Sequence, residues 1–154
     1  MDKDVINRKL ESLRRCVARI TSKMPITQDA LWSNYDLQDI IALNLERAVQ
    51  TCVDIAAHVI SQTEVPPPST MAEGFVRLAE LRVISSQLAE SMQKAVAFRN
   101  ILVHNYTDIN WDIVADIVTR RLTDFVQFAQ VIDRLNNDNR AVLSTPQAPR
   151  PPSA

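Results

Sequence analysis

Residues 36–60 read DLQDIIALNLERAVQTCVDIAAHVI and contain neither glycine nor proline. Apolar side chains recur there at steps of three and four residues, the spacing that places them on one face of an α-helix. The glycine- and proline-free segment covers residues 27–62, which predicts one long helix with Asn34 as the place where it would break. Asp36 is the expected N-cap of its main part. The predicted core face consists of Leu37, Ile41, Leu45, Ala48, Cys52, Ile55 and Val59.

The N-terminal segment predicts an amphipathic helix over about residues 4–24. Its apolar stripe and its basic side chains lie on opposite sides of the helix. The basic side is either a solvated face or a ridge that steers an anionic polymer. The stripe consists of Ile6, Leu10, Leu13, Val17, Ile20 and Met24, and the basic side of Arg8, Arg15, Arg19 and Lys23.

Three further helices are predicted after the triple proline at 66–68. Thr70 and Glu73 form a capping box that begins the third helix. Ser85 and Ser86 offer a cap for the fourth helix, which continues to about residue 103. The last helix begins near residue 110 or 111 and continues to about 136. Its core candidates are Ile113, Val114, Ile117, Leu122, Phe125, Phe128, Ala129 and Ile132. These segments predict an all-α protein, an antiparallel bundle of about five helices.

Composition excludes several other classes. The chain has 154 residues, 46% of them hydrophobic and 23% charged, and its one glycine argues against glycine-lined phosphate loops and dinucleotide-binding α/β folds. No apolar run approaches the roughly 20 residues of a membrane span, and no signal peptide is evident. We therefore expect a cytoplasmic protein with reduced, buried Cys16 and Cys52. Residues 1–138 form one predicted helical domain, and the Pro-rich segment 139–154 is predicted to be a disordered tail.

The fourth helix carries a charged residue on its apolar stripe. Leu88, Met92, Ala95, Val96, Leu102 and Val103 share one face, and Arg99 lies near the middle of it. Removal of a guanidinium from water is costly without a partner. Arg99 therefore either pairs with an acidic residue inside the bundle or lies on a face that lines a cleft or a subunit interface.

His104 follows Arg99 by five residues, which separates the two by about 140° on an unbroken helix. The sequence after residue 106 predicts a turn, so the helix is expected to end close to His104 and leave its imidazole free. Asn100, four residues earlier, is placed to orient the ring. A histidine at a helix end is also a common capping or packing residue.

The string RNILVHNY at residues 99–106 resembles the R-x4-H-x-Y motif of the HepT-like toxins, which are HEPN-domain ribonucleases. The long helix ending LERAVQTCVDIAAHVI (residues 45–60), the proline loop after it and the position of the motif near residue 100 are also similar to that family. The resemblance covers about residues 1–136 and leaves out the Pro-rich tail. It implies a HEPN-type fold for the bundle.

The resemblance also implies a function. HepT-like proteins form homodimers, cut RNA without a metal or other cofactor, and are paired with a nucleotidyltransferase antitoxin of the MntA type that attaches AMP to the motif tyrosine. Arg99 and His104 would then be the catalytic residues, since an arginine fork suits a phosphate and imidazole suits acid–base work. Tyr106 would be the AMP acceptor, although a half-buried aromatic at a helix junction is the plainer interpretation of that residue.

Two acidic residues and a second histidine complete the candidates. Asp54 and Glu46 are expected to support the Arg99 cleft, because a buried guanidinium needs anionic neighbours. Asp54 and His58 have i, i+4 spacing, which favours a helix-surface hydrogen bond. No further ligands occur at metal-site spacing, so no metal site is predicted.

Three functions are compatible with these features. The first is a metal-independent endoribonuclease toxin of a toxin–antitoxin pair. The second is a non-catalytic helical subunit that binds nucleotide or a nucleotidyltransferase. The third is a purely structural bundle, in which Arg99 and His104 tolerate substitution apart from effects on stability.

Overall fold

The computed structural model describes residues 2–138, and the predicted tail at 139–154 lies outside these described residues. Every regular element in this range is helical, which confirms the all-α prediction. The described residues form seven α-helices and one short 3₁₀ turn at Tyr106–Asp108. The helices are α1 (Lys3–Thr21), α2 (Gln28–Ser33), α3 (Tyr35–Ser61), α4 (Met71–Glu80), α5 (Ser86–His104), α6 (Trp111–Arg120) and α7 (Leu122–Asn137).

The long helix α3 is the centre of the bundle and packs against α1, α4 and α5. Its predicted core face is buried at every position from Ile41 to Val59, and only Leu37 at its start is partly exposed. Helix α1 packs on both α3 and α7, and α4 forms a hairpin with α5. Phe75 of α4 and Phe128 of α7 meet edge to face, with ring centroids 5.7 Å apart. Each large apolar side chain buried in this way contributes about 1.5–3 kcal/mol.

The predicted break in the long helix occurs, but its cap is a different residue. Asn34 has an extended backbone, and its side-chain oxygen accepts a hydrogen bond from the Leu37 backbone N–H at 3.0 Å. The expectation that Asp36 is the N-cap is therefore wrong, because Asp36 lies within the first turn of α3. The six residues before Asn34 form the separate helix α2, which packs against α6.

The predicted last helix is two helices that meet at Arg121. The backbone of Arg121 has φ −114° and ψ −2°, and this residue both ends α6 and precedes α7. No proline or glycine marks this break in the sequence. Helix α6 packs on α2 whereas α7 packs on α1, so the two segments bury faces in different directions. Ile113, predicted in the core, is 49% exposed.

The predicted starts of α4 and α5 are confirmed. The Thr70 hydroxyl accepts a hydrogen bond from the Glu73 backbone N–H at 3.1 Å, and Ser85 accepts one from Leu88 at 3.0 Å. The Glu73 carboxylate accepts from the backbone N–H of Ser69 rather than from that of Thr70. These caps determine where α5 begins, and therefore where its last turn presents the R-x4-H motif.

Both cysteines are free thiols in buried positions, as predicted. Burial raises the pKa of Cys16 and raises that of Cys52 well above its usual range. The thiolate, which is the reactive form, is therefore disfavoured at both sites.

Candidate active site

The apolar stripe of α5 faces the interior of the same chain. Leu88, Met92, Val96 and Leu102 are each no more than 4% exposed. These four positions are therefore not the face of a dimer, since α3 and α4 already cover them, but Val103, also predicted on the stripe, is 39% exposed.

A different part of α5 is left uncovered. Ile101 and Val103 are 47% and 39% exposed, and Asn100 and His104 are exposed as well. With 3.6 residues per turn, Asn100 and His104 lie between Val103 on one side and Ile101 on the other. We call this surface of four residues the α5 tip.

Arg99 lies at the boundary between the buried stripe and the α5 tip. Its Nη1 is 3.3 Å from the Asn100 side-chain oxygen and 4.0 Å from the sulfur of Met71 in α4. Its Nε is buried and has no hydrogen-bond partner among residues 2–138. An unpartnered buried N–H is unfavourable by about 1–3 kcal/mol.

Arg99 forms no ion pair with any residue that the structure describes. Within residues 2–138, no carboxylate lies within 4.0 Å of its guanidinium, so the hypothesis of a structural ion pair is wrong for the single chain. Glu46 and Asp54, expected to support Arg99, form neither an ion pair nor a hydrogen bond with it. The Asp54 carboxylate accepts a hydrogen bond from Gln50 at 3.0 Å and lines a groove with Arg8 of α1. Arg99 therefore keeps its charge available to an external anion.

A pocket of about 210 Å³ adjoins Arg99 between α3, α5, α6 and α7. Its walls are mostly apolar, with charged residues from α5, α6 and α7 among its lining. The lining includes Leu45, Phe98, Ile117, Phe125, Lys94, Asp116, Arg121 and Asp124. Burial raises the pKa of Asp124, and the nearby positive charge of Arg121 lowers it less.

His104 is the last residue of α5, so the prediction that the helix ends close to it is confirmed. Its imidazole is exposed and makes no hydrogen bond to any described residue. Asn100 does not orient the ring, because it forms no hydrogen bond with His104; its side-chain oxygen accepts from Arg99. An exposed, unengaged imidazole can exchange protons with a bound substrate or with water.

Tyr106 begins the 3₁₀ turn after α5 and is 40% exposed. Its hydroxyl donates a hydrogen bond to the carboxylate of Asp39 in α3. Its ring meets Trp111 edge to face, with centroids 6.1 Å apart. Partial burial, followed by the contact with Asp39, raises the pKa of Tyr106 to about 12. Sequence reasoning missed Asp39, because 67 residues separate it from Tyr106 and nothing in its spacing marks it.

The second histidine lies elsewhere. His58 is partly buried in α3, and its Nε2 has no hydrogen-bond partner among the described residues. The expected hydrogen bond between Asp54 and His58 is not formed, since Asp54 accepts from Gln50. Across residues 2–138, no group of three or more His, Cys, Asp or Glu side chains is arranged to hold a metal ion.

Comparison with known proteins assigns the chain to a family. The family model described as "Ribonuclease HepT-like" matches residues 9–132. The chain belongs to the HepT-like family. It is 36% identical to the mRNA nuclease HepT of Shewanella oneidensis over 129 residues, which are 84% of this chain and 96% of that protein. It is 25% identical to the tRNA nuclease HepT of Aphanizomenon flos-aquae, over 84% of this chain and 88% of the relative.

Solved structures agree with this assignment. The tri-AMPylated HEPN toxin of Shewanella oneidensis, in complex with an MNT antitoxin, superimposes with a TM-score of 0.79 at 36% identity. The match covers 86% of this chain and 98% of the toxin. A cytosolic Bacillus subtilis protein of unknown function has the same fold, with a TM-score of 0.77 at 14% identity. The HEPN-type fold expected from the motif is therefore confirmed. None of the helices in residues 2–138 is long and apolar enough to cross a membrane.

Proposed function

We propose that this HepT-like chain is a metal-independent endoribonuclease toxin of a toxin–antitoxin pair. In this proposal Arg99 and His104 cut RNA in a cleft between two copies of the chain. A nucleotidyltransferase antitoxin of the MntA type neutralises the toxin by attaching AMP to Tyr106. The observation that carries the proposal is that the last two turns of α5 hold an Arg99 guanidinium and a His104 imidazole that are both left free of ion pairs among residues 2–138, with His104 exposed. The names of the relatives support it, since both are nucleases.

The reaction needs three kinds of groups. A base removes the proton from the ribose 2′-hydroxyl, an acid protonates the leaving 5′-oxygen, and positive donors stabilise the charge on the pentacoordinate phosphorus. Imidazole titrates near neutral pH and serves as either acid or base. One chain supplies a single motif histidine, so a second copy related by twofold symmetry is required to fill both roles.

Arg99 suits the phosphate for two reasons. A guanidinium donates two parallel hydrogen bonds to phosphate oxygens, a geometry that lysine cannot reproduce. The Nε of Arg99 has no partner among the described residues. Because that Nε is buried, a phosphate at the α5 tip would bind through the Nη atoms, of which Nη1 is hydrogen-bonded only to Asn100 and Met71 among the described residues.

The α5 tip is the surface that we assign to the homodimer. Its two apolar residues, Ile101 and Val103, are exposed on either side of Asn100 and His104. Burial of these apolar flanks against a second copy would bring two His104 side chains into a shared cleft, with Arg99 at its wall. Tyr106 follows two residues later, near the mouth of that cleft.

Modification of Tyr106 would prevent RNA from binding in the cleft through electrostatic repulsion. An attached AMP adds bulk and negative charge within two residues of His104. The substrate also carries negative charge on each phosphate, so the modified toxin repels RNA. The tri-AMPylated state of the Shewanella oneidensis toxin supports this form of regulation.

Replacement of each histidine in turn tests the proposal, because the chain has only two. His104→Ala is expected to lower the rate of RNA cleavage by about 10²–10⁴-fold, since a general acid–base group is lost. His58→Ala is the matched control and should retain cleavage if it folds, which thermal melting of both variants checks. Parent activity should persist in excess EDTA.

Equal cleavage by the parent and a folded His104→Ala variant would contradict the nuclease proposal. Binding of a nucleotidyltransferase without any RNA cleavage by the parent would favour the non-catalytic subunit instead. Cleavage abolished by EDTA and restored by a divalent cation would reject metal independence alone.

A further inference from the structure

The hydroxyl of Tyr106 is engaged by a group that the proposed cleavage reaction does not use. It donates its hydrogen to the carboxylate of Asp39, on the central helix α3. A phenol has one hydrogen to donate, so this bond commits it in a defined direction. The oxygen lone pairs then point away from Asp39, and the side chain remains 40% exposed. Attack by this oxygen therefore has to come from the side of the phenol that does not face Asp39.

Three elements determine this orientation. Asp39 lies on the exposed side of α3, in the second turn after the Asn34 cap. Trp111, at the start of α6, packs edge to face against the Tyr106 ring. Helix α6 is itself tied to α2, because Trp32 donates its indole N–H to the Asp112 carboxylate at 2.7 Å. The ring and the carboxylate are therefore held by the packed body of the protein.

We propose that Asp39 is the base that takes the phenolic proton when AMP is transferred to Tyr106. The inference rests on the proposed function, in which Tyr106 is the acceptor and a nucleoside triphosphate bound to the partner enzyme is the donor. The Tyr106 oxygen attacks the α-phosphorus, and a new oxygen–phosphorus bond forms. The bond from the α-phosphorus to the pyrophosphate oxygen breaks, and pyrophosphate leaves with that electron pair. The phenolic proton moves to the Asp39 carboxylate.

Such a base is needed at this position. The raised pKa of Tyr106, about 12, keeps its hydroxyl protonated at neutral pH, so few molecules hold a ready phenolate. A carboxylate already hydrogen-bonded to the hydroxyl removes the proton as the new bond forms, without a free phenolate. Before transfer, the negative charge of Asp39 thus disfavours ionisation of Tyr106. During transfer, the same carboxylate accepts the phenolic proton and assists the attack. After transfer, the hydroxyl has no hydrogen left to donate, and the α-phosphate and Asp39 are neighbouring anions.

The test compares two aspartates of α3. Asp39→Asn keeps an oxygen that can accept the Tyr106 hydrogen bond but cannot take the proton. Asp36→Asn makes the same charge change three residues earlier, at an exposed position in the first turn of α3. Each variant is incubated at pH 7 with ATP, Mg²⁺ and a nucleotidyltransferase antitoxin of the MntA type that modifies the parent. The initial rate of AMP addition is followed by intact mass spectrometry, and the site is located by peptide mapping.

We expect Asp39→Asn to accept AMP at least tenfold more slowly than the parent, and Asp36→Asn to match the parent within threefold. The rate for Asp39→Asn should also rise between pH 7 and 9 relative to the parent, because phenolate then replaces the lost base. This change in pH profile distinguishes proton transfer from a merely structural role. A rate for Asp39→Asn within threefold of the parent, with the same pH profile, would overturn the inference.

A second measurement needs no partner enzyme. The chain has two tyrosines, so Tyr35→Phe leaves Tyr106 as the only phenol that titrates. Phenolate absorbance in this background should have its midpoint near pH 12, and added Asp39→Asn should move it to lower pH. An unchanged midpoint would show that the contact is absent in solution and would overturn the inference. A parent that accepts no AMP would reject the regulatory part of the proposed function together with this inference, whereas the His104 experiment would still stand.

Discussion

The two halves of α5 use the same helix in opposite ways. In the first half, Leu88, Ala89 and Met92 are almost completely buried against the neighbouring helices. In the last turn, Ile101 and His104 are exposed, and the Arg99 Nε is buried without a partner among the described residues. The first half is packed, whereas the last two turns bury Val96 and Leu102 but also expose apolar and polar side chains on the α5 tip.

This difference separates stability from function. Side chains that are not buried or paired within one chain can still gain binding free energy by contacting another molecule. The Arg99 guanidinium, which has no ion pair among the described residues, favours an anion, and the exposed flanks of the α5 tip favour an apolar surface. Substitutions in the buried half, at Arg99 and in the α5 tip test this difference one region at a time.

Met92→Ala tests the buried half and has the largest expected effect on stability. Met92 is 0% exposed, so its truncation leaves a cavity and lowers the free energy of unfolding by about 2–5 kcal/mol. Urea denaturation measures this loss. Glu90→Ala, at an exposed ion pair of the same helix, is the control and should change stability by less than about 1 kcal/mol. A loss below about 1 kcal/mol for Met92→Ala would contradict the division of α5 into two halves.

Arg99→Lys tests the boundary between the two halves. Lysine keeps the charge but removes the bidentate fork, so RNA cleavage should fall at least about tenfold, or about 1.4 kcal/mol of transition-state stabilisation. Because Arg99 has no ion pair within the described part of the chain, the free energy of unfolding should not fall with it. Arg120→Lys, at an exposed ion pair on α6, is the matched control and should leave cleavage unchanged. Unchanged cleavage by a folded Arg99→Lys protein would reject phosphate binding by the fork.

Ile101→Ser tests the α5 tip and has the smallest expected effect on the fold. Ile101 is 47% exposed, so the substitution should change the free energy of unfolding of the monomer by no more than about 0.5 kcal/mol. It should nevertheless weaken self-association, measured by light scattering over a range of concentrations. Val126→Ser, at a 43% exposed position on α7, is the control. A stable monomer of the parent at micromolar concentration, or equal association by Ile101→Ser, would exclude the α5 tip as the dimer surface.

The periodic parts of the fold were predictable, and its junctions were predictable only in part. The core face of α3 from Ile41 to Val59 follows from the spacing of apolar residues. The start of α4 at Thr70 and of α5 at Ser85 follows from local capping. The break at Arg121 has no local signal, because it arises where α6 and α7 pack on different partners. Asn34 and Asp36 are both residue types that cap helices, so the sequence alone did not show which of them is the N-cap. The extended backbone of Asn34 makes it the cap.

The candidate site divides in the same way. The motif from Arg99 to Tyr106 is continuous in sequence, so its residue types and its resemblance to the HepT-like family could be recognised without coordinates. The contacts that these motif residues make with other helices could not be predicted from the sequence. Arg99 was expected to have anionic neighbours at Glu46 and Asp54, but helical periodicity places residues around one axis and says nothing about distance to another helix.

By itself, the sequence determined the helical class, the family and the residues that carry the proposed chemistry, because helical periodicity, caps and a short motif are local properties. Only the tertiary structure decided which side of α5 is buried, that the Arg99 Nε lacks a hydrogen-bond partner among the described residues, and that Asp39 accepts the hydrogen of Tyr106. Those features depend on how separate helices pack, and the contact between Asp39 and Tyr106 joins residues 67 positions apart. Packing of side chains from many segments sets such distances, and no local pattern encodes them.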